Sequence, residues 1–167
     1  MTPPSFDPAR KVLTRDALLQ WRRERTGRVV FTNGVFDLLH PGHVDVLRAA
    51  RACGDCLVVA LNTDASVRRL KGAGRPVHSQ EARAFVVAAL EAVDAVTLFD
   101  EDTPHRLILA LAPDVIVKGG DYNPANVIGA ADVVARGGEV VIVPLTPGQS
   151  TTSIIAKLRA HTSSASQ

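Results

Sequence analysis

Apolar positions along this chain recur in two rhythms, one suited to helices and one to buried strands, and the two alternate. Thr14 can cap a first helix whose apolar positions Ala17, Leu18 and Trp21 lead towards Arg25, with Gly27 as its stop. Positions 28–32 (Arg-Val-Val-Phe-Thr) are β-branched and aromatic, the composition of a short strand covered on both faces. From 43 to 53, Val44, Leu47 and Ala50 share one helical face while Asp45, Arg48 and Arg51 lie elsewhere. The same reading predicts a second buried strand at 56–61 and helices at 64–70 and 79–93. It then gives a strand at 96–99, a helix at 104–112 and a strand at 115–117. A helix at 126–135 closed by Gly137 and Gly138, a strand at 140–143 and a last helix at 152–159 complete the series.

About five strand–helix alternations are the mark of a parallel sheet covered by helices, so the expected fold is a doubly wound α/β domain with a five-stranded parallel sheet. It spans 12–160, between a Pro-rich N-terminal tail at 1–11 and a Ser-rich C-terminal tail at 161–167. In such folds ligands bind beyond the carboxyl ends of the strands, where strand order changes direction. The turns to inspect are therefore 32–43, 62–64, 118–122 and 144–152, which hold most of the Gly, His, Asn and hydroxyl residues.

Composition narrows the partners. Hydrophobic residues at 46% supply a core and rule out disorder along the whole chain. A formal charge of +2 and only 4% aromatic residues argue against a nucleic-acid binder, which needs a basic face or stacking platforms. The N-terminus has no apolar run of signal-peptide type, and no stretch of eighteen apolar residues would span a membrane. Cys53 and Cys56 lack a second ligand pair and read as a small buried pair in a reducing, cytoplasmic setting.

The first turn reads Thr32-Asn33-Gly34-Val35-Phe36-Asp37-Leu38-Leu39-His40-Pro41-Gly42-His43. Pro41 suits a first helical position and Gly42 lets a ligand approach the backbone. The three-residue step from His40 to His43 sets both imidazoles on one face of the opening turn. Helix amides and two imidazoles then converge where an anion is favoured. The turn is neither a Walker loop nor a Gly-x-Gly-x-x-Gly dinucleotide turn, and two histidines without a third ligand make no zinc site.

His40-Pro41-Gly42-His43 after Phe36-Asp37-Leu38-Leu39 resembles the His-x-Gly-His motif of the cytidylyltransferase-like nucleotidyltransferases. Four segments resemble, more narrowly, the branch of adenylyltransferase domains that converts D-glycero-β-D-manno-heptose 1-phosphate to ADP-heptose. They are 31–37, Arg69-Leu70-Lys71-Gly72 with Arg75-Pro76-Val77, Val117-Lys118-Gly119-Gly120-Asp121-Tyr122, and Ser150-Thr151-Thr152. The likeness covers about 12–159. It implies a Rossmann-like nucleotidyltransferase fold in which a sugar 1-phosphate oxygen attacks the α-phosphorus of ATP and pyrophosphate leaves.

By that resemblance His40, His43 and Lys71 are the catalytic residues. Thr32, Asn33, Gly34, Phe36, Gly42, Lys118, Gly120, Asp121, Tyr122, Ser150, Thr151 and Thr152 contact the nucleotide. Asn62, Asp64, Arg75 and Arg83 contact the acceptor. Each has a plainer reading: Lys71 as one more cation after Arg68 and Arg69, Asp64 and Ser150–Thr152 as helix caps, Arg75 and Arg83 as ion-pair partners. Mg²⁺ is expected to accompany the ATP substrate, since no basic residue precedes the 150–152 hydroxyls. No metal ligand set is assigned within the chain. The family often fuses this domain to a sugar kinase. The 167 residues imply that the kinase, like a phosphatase of the same pathway, is separate, and a homodimer is left open. A CTP-dependent cytidylyltransferase for glycerol 3-phosphate and a non-catalytic nucleotide-binding regulatory domain are the alternatives.

Overall fold

The computed structural model describes residues 6–145, 147–148, 151 and 154–156. Five strands, β1 (Val29–Gly34), β2 (Cys56–Asn62), β3 (Ala95–Phe99), β4 (Val115–Gly119) and β5 (Glu139–Val143), form one sheet in the order β3-β2-β1-β4-β5. Every pairing is parallel. The helices α1 (Arg15–Arg23), α2 (Pro41–Arg51), α3 (Asp64–Lys71), α4 (Gln80–Ala88), α5 (His105–Leu111) and α6 (Ala130–Ala135) accompany them among the described residues.

Strand side chains alternate between two cores, as the period of two requires. Val29, Phe31, Val58, Ala60 and Ile116 pack with Leu18, Leu107, Ile108 and Val133 on one face. Val30, Leu57, Val59, Leu61 and Val117 pack with Leu47, Ala50, Ala84 and Val87 on the other. Because both faces are covered, the strands read as unbroken apolar runs, which is what made them recognisable. Trp21 packs against the first core, with the Arg25 guanidinium 4.6 Å above its ring. Cys53 and Cys56 are free thiols, and Cys56 is buried.

Where the elements differ from the pattern-based reading, tertiary partners are the reason. β1 and β4 run on to Gly34 and Gly119 because their ladders continue opposite Leu61 and Val143. α4 stops at Ala88, well short of 93. The carbonyl of Val93 accepts from Lys11 Nζ at 2.7 Å, so Leu90–Val93 forms the turn into β3 instead of more helix. α6 begins only at Ala130, after a 3-10 turn at Pro124–Asn126 and Gly129 at φ 82°. Of the last helix expected at 152–159, Thr151 and 154–156 have helical backbone, and the rest lies outside the described residues. In the segment assigned to the N-terminal tail, Pro8–Lys11 forms a 3-10 turn with Asp7 as its cap.

Candidate active site

The chain leaves β1 for β2 and β3, then returns to set β4 on the free side of β1. Strand order therefore reverses between β1 and β4, and a crevice opens where their carboxyl ends diverge. A cavity of about 540 Å³ occupies it, within the range of small-molecule sites. Its walls come from the end of β1 (Thr32 to Phe36), the start of α2, Asn62, the end of α3 (Leu70, Lys71), the end of β4 and Thr151.

Pro41 opens α2, with His40 as an N-cap in extended conformation whose side chain makes no capping bond. The imidazole is therefore released for other work. The rings of His40 and His43 stack, their centroids 3.8 Å apart and their planes 25° from parallel. Phe36, held at φ 47°, packs its ring against His43 at 5.1 Å. A bulky residue in that left-handed region is an outlier of the kind found at functional turns. Burial lowers the basicity of both imidazoles, and with the neighbouring His40 it takes His43 to about 4. The buried Nδ1 atoms of both rings meet no hydrogen-bond partner. Two neutral rings with unused nitrogens at a helix N-terminus are chemically able to receive an anion.

Two ammonium groups flank it. Lys71 ends α3 beside Gly72 at φ 92°, is exposed, and makes no ion pair or hydrogen bond with a described residue. Lys118 sits deeper at the end of β4, where burial pushes its ammonium pKa down, and its Nζ donates to the Asn33 carbonyl at 3.2 Å. Gly120, at φ 131°, turns the chain after β4, and a Cβ there would strike the Tyr122 ring at 2.9 Å. Thr151 Oγ1 donates to the Leu38 carbonyl at 3.4 Å, which ties the helical segment after β5 to the loop before α2.

The predicted residues Thr32, Asn33, Gly34, Phe36, His40, Gly42, His43, Asn62, Lys71, Lys118, Tyr122 and Thr151 thus line one cavity. Asp121 is exposed, and neither it nor Gly120 is on the lining. Ser150 and Thr152 lie outside the described residues. Asp64, Arg75 and Arg83, assigned by resemblance to the acceptor, do not line this cavity. Arg83 is 2% exposed and donates to the carbonyls of His78, Val35 and Asn62 and to Asp64 Oδ1. Its guanidinium is spent on holding three loops together. Arg75 is paired with Asp37 at 2.7 Å.

Asp37, Val46, Asp102 and Leu145 escaped the sequence reading. Asp37 has a fully buried side chain that accepts from the amides of Val77 and His78 as well as from Arg75. Nothing local in the sequence announces such partners, some forty residues away. Asp102 lines the cavity from the turn after β3, the one strand end left out of the turns inspected, and pairs with Arg69 at 3.0 Å. Val46 and Leu145 supply apolar wall opposite Gly119.

A family model described as cytidylyltransferase-like matches residues 31–157, from β1 through the helical segment after β5. The chain belongs to that family. It is a nucleotidyltransferase domain, and the histidine pair falls within the matched segment. Over 144 residues it is 60% identical to the bifunctional protein HldE of Rhodopseudomonas palustris strain ATCC BAA-98 / CGA009, covering 86% of this chain and 29% of that protein. It is 52% identical over 153 residues to the protein of that name in Wolinella succinogenes, covering 89% of this chain and 31% of that one. The nucleotidyltransferase chain thus spans about three tenths of the length of these curated relatives.

Among solved structures, the domain is similar to a lipopolysaccharide core biosynthesis protein of Thermoplasma volcanium. The TM-score is 0.59 and the identity 28%, over 72% of this chain and 97% of that one. A pantoate-beta-alanine ligase from Francisella tularensis shares the fold at 10% identity and a TM-score of 0.56, over 81% of this chain and 68% of that one. Among the described residues of this nucleotidyltransferase, no helix is long and apolar enough to cross a membrane.

Proposed function

We propose that this nucleotidyltransferase transfers AMP from ATP to a sugar 1-phosphate, D-glycero-β-D-manno-heptose 1-phosphate, giving ADP-heptose and pyrophosphate. The observation that carries the transferase half is the stacked His40–His43 pair, with unused nitrogens, at the N-terminus of α2. The choice of ATP and heptose rests on the resemblance of Asn33 and of Lys118 to Tyr122 to the heptose branch. A saccharide acceptor also accords with the likeness to a lipopolysaccharide core biosynthesis protein.

In this reading the triphosphate lies along the α2 N-terminus, where helix amides and the two imidazoles receive its oxygens. An acceptor phosphate oxygen attacks the α-phosphorus. The bond to the bridging oxygen breaks, and pyrophosphate departs with the electron pair. The acceptor phosphate is already anionic at neutral pH, so no general base is required, and positioning with charge neutralisation does the work. Lys71, a mobile ammonium at the rim, neutralises two phosphates that would otherwise repel. Mg²⁺ accompanying ATP would add further neutralisation of the phosphate charge.

Pyrophosphate release, measured with each of four nucleoside triphosphates against heptose 1-phosphate, other sugar 1-phosphates and glycerol 3-phosphate, tests the reading. Release confined to ATP with heptose 1-phosphate is the expected result. Release with CTP and glycerol 3-phosphate would replace it by a cytidylyltransferase, and tight nucleotide binding without release by a regulatory domain.

A further inference from the structure

Beside the main cavity lies a second hollow of about 230 Å³, between the turn after β3, the end of β4 and the Pro124–Asn126 turn. Asn33, Asp102, Lys118 and Tyr122 line both. Neither His40 nor His43 lines the smaller hollow, whereas Lys118 lines both spaces.

Asp102 is paired with Arg69, but several other polar groups on the lining of the hollow have no partner among the described residues. Lys118 forms no ion pair with a described residue, and its one hydrogen bond goes to a neutral carbonyl. A largely buried ammonium held that way is costly unless a ligand supplies oxygens. The side-chain amides of Asn33 and Asn126 and the hydroxyl of Thr103 make no hydrogen bond to described residues either. Beside the apolar Pro104, Val127 and Ile128, the hollow presents a cation, two amides and a hydroxyl, donors and acceptors of the kind a polyol uses. In-line displacement adds a directional argument. If pyrophosphate leaves towards the histidines, the attacking oxygen must arrive from the opposite side of the α-phosphorus, and a space that neither histidine lines can supply it.

We propose that the smaller hollow seats the sugar part of the acceptor, with Lys118 and Asn33 holding it at the junction with the nucleotide cavity. Lys118 is then an acceptor-specificity residue and not a nucleotide ligand. This rests on the adenylyltransferase reading above.

The test compares the wild-type chain, Lys118→Met and Asn126→Trp. The last variant places bulk in the hollow from an exposed position, which keeps the fold out of question. KM for heptose 1-phosphate and for ATP are measured separately by pyrophosphate release, and ATP affinity without acceptor by calorimetry. Expected is a rise in the heptose 1-phosphate KM of ~10-fold or more for Lys118→Met, the scale of one charge-assisted hydrogen bond, with ATP affinity within about twofold. Asn126→Trp raises the same KM and leaves ATP affinity alone. A loss of ATP affinity as large as the loss for the sugar phosphate, or an unchanged acceptor KM in both variants, overturns the assignment. Absence of pyrophosphate release from the wild-type chain would instead remove the adenylyltransferase reading, and this inference with it.

Discussion

His40 and His43 stack face to face, 3.8 Å between ring centroids, at the mouth of a cavity where neither Nδ1 has a partner. Two imidazolium ions at that distance would repel, and burial already disfavours the charged forms. The unliganded pair is therefore neutral at pH 7. A polyanion reverses the balance, since each negative oxygen favours a protonated ring.

Nucleotide binding should accordingly take up protons. His43 titrates near 4 in the free protein against an ordinary 6.5, and the bound triphosphate pushes it back up. Calorimetry at pH 6 in buffers of different ionisation enthalpy should show net proton uptake, reduced in His43→Ala. The same shift affects stability. Below 6.5 the unfolded chain binds a proton that the folded ring refuses, so this contribution is present above 6.5 and is lost as pH falls towards 4. A wild-type protein whose nucleotide binding leaves the buffer untouched would contradict the phosphate-cradle role.

His43→Ala should lower kcat by ~10²–10³, as removal of one transition-state donor does elsewhere. Lys71→Ala offers a cleaner contrast, because Lys71 is exposed and has no described partner to lose. Its melting temperature should match wild type while turnover drops. Equal turnover in Lys71→Ala would place Lys71 among ordinary surface cations.

Arg83→Leu should act on folding and not on substrate affinity. The substitution strands three carbonyls and leaves Asp64 without its cation, a loss of roughly 3–5 kcal/mol for breaking a buried pair. Arg83→Lys, which keeps the charge but not the fork, should fall between in thermal melts. Should Arg83→Lys melt like wild type yet raise the acceptor KM, the side chain would be a substrate ligand after all.

Asp37→Ala should free the 75–78 segment from the β1–α2 loop, at a cost on the order of 3 kcal/mol. Burial alone would raise the Asp37 pKa, but the His78 and Val77 amides and Arg75 outweigh it and hold it below the usual carboxylate range. Its contribution is thus present above the ordinary carboxylate pKa and disappears in acid as the group protonates. Hydrogen exchange at the Val77 and His78 amides reports the change directly, and unaltered protection there would exclude the clamp.

Much of this molecule was legible in one dimension because its information is local. Covered parallel strands read as apolar runs, Thr14 caps its own helix, and His40-Pro41-Gly42-His43 carries its geometry within a single helical turn. Those features decided the α/β class, the switch-point location and the histidine pair. Other features depend on partners distant in sequence, and there the sequence left alternatives open. Arg83 and Arg75 looked available to a ligand until folding brought Val35, Asn62, Asp64 and Asp37 to them. Lys118 was assigned to the nucleotide by resemblance, and only the packing of β4 against β1 leaves it half-buried on the lining of two cavities. Whether a charge is satisfied or waiting for a ligand depends on what surrounds it in space. That surrounding exists only once the sheet has brought its strand ends together.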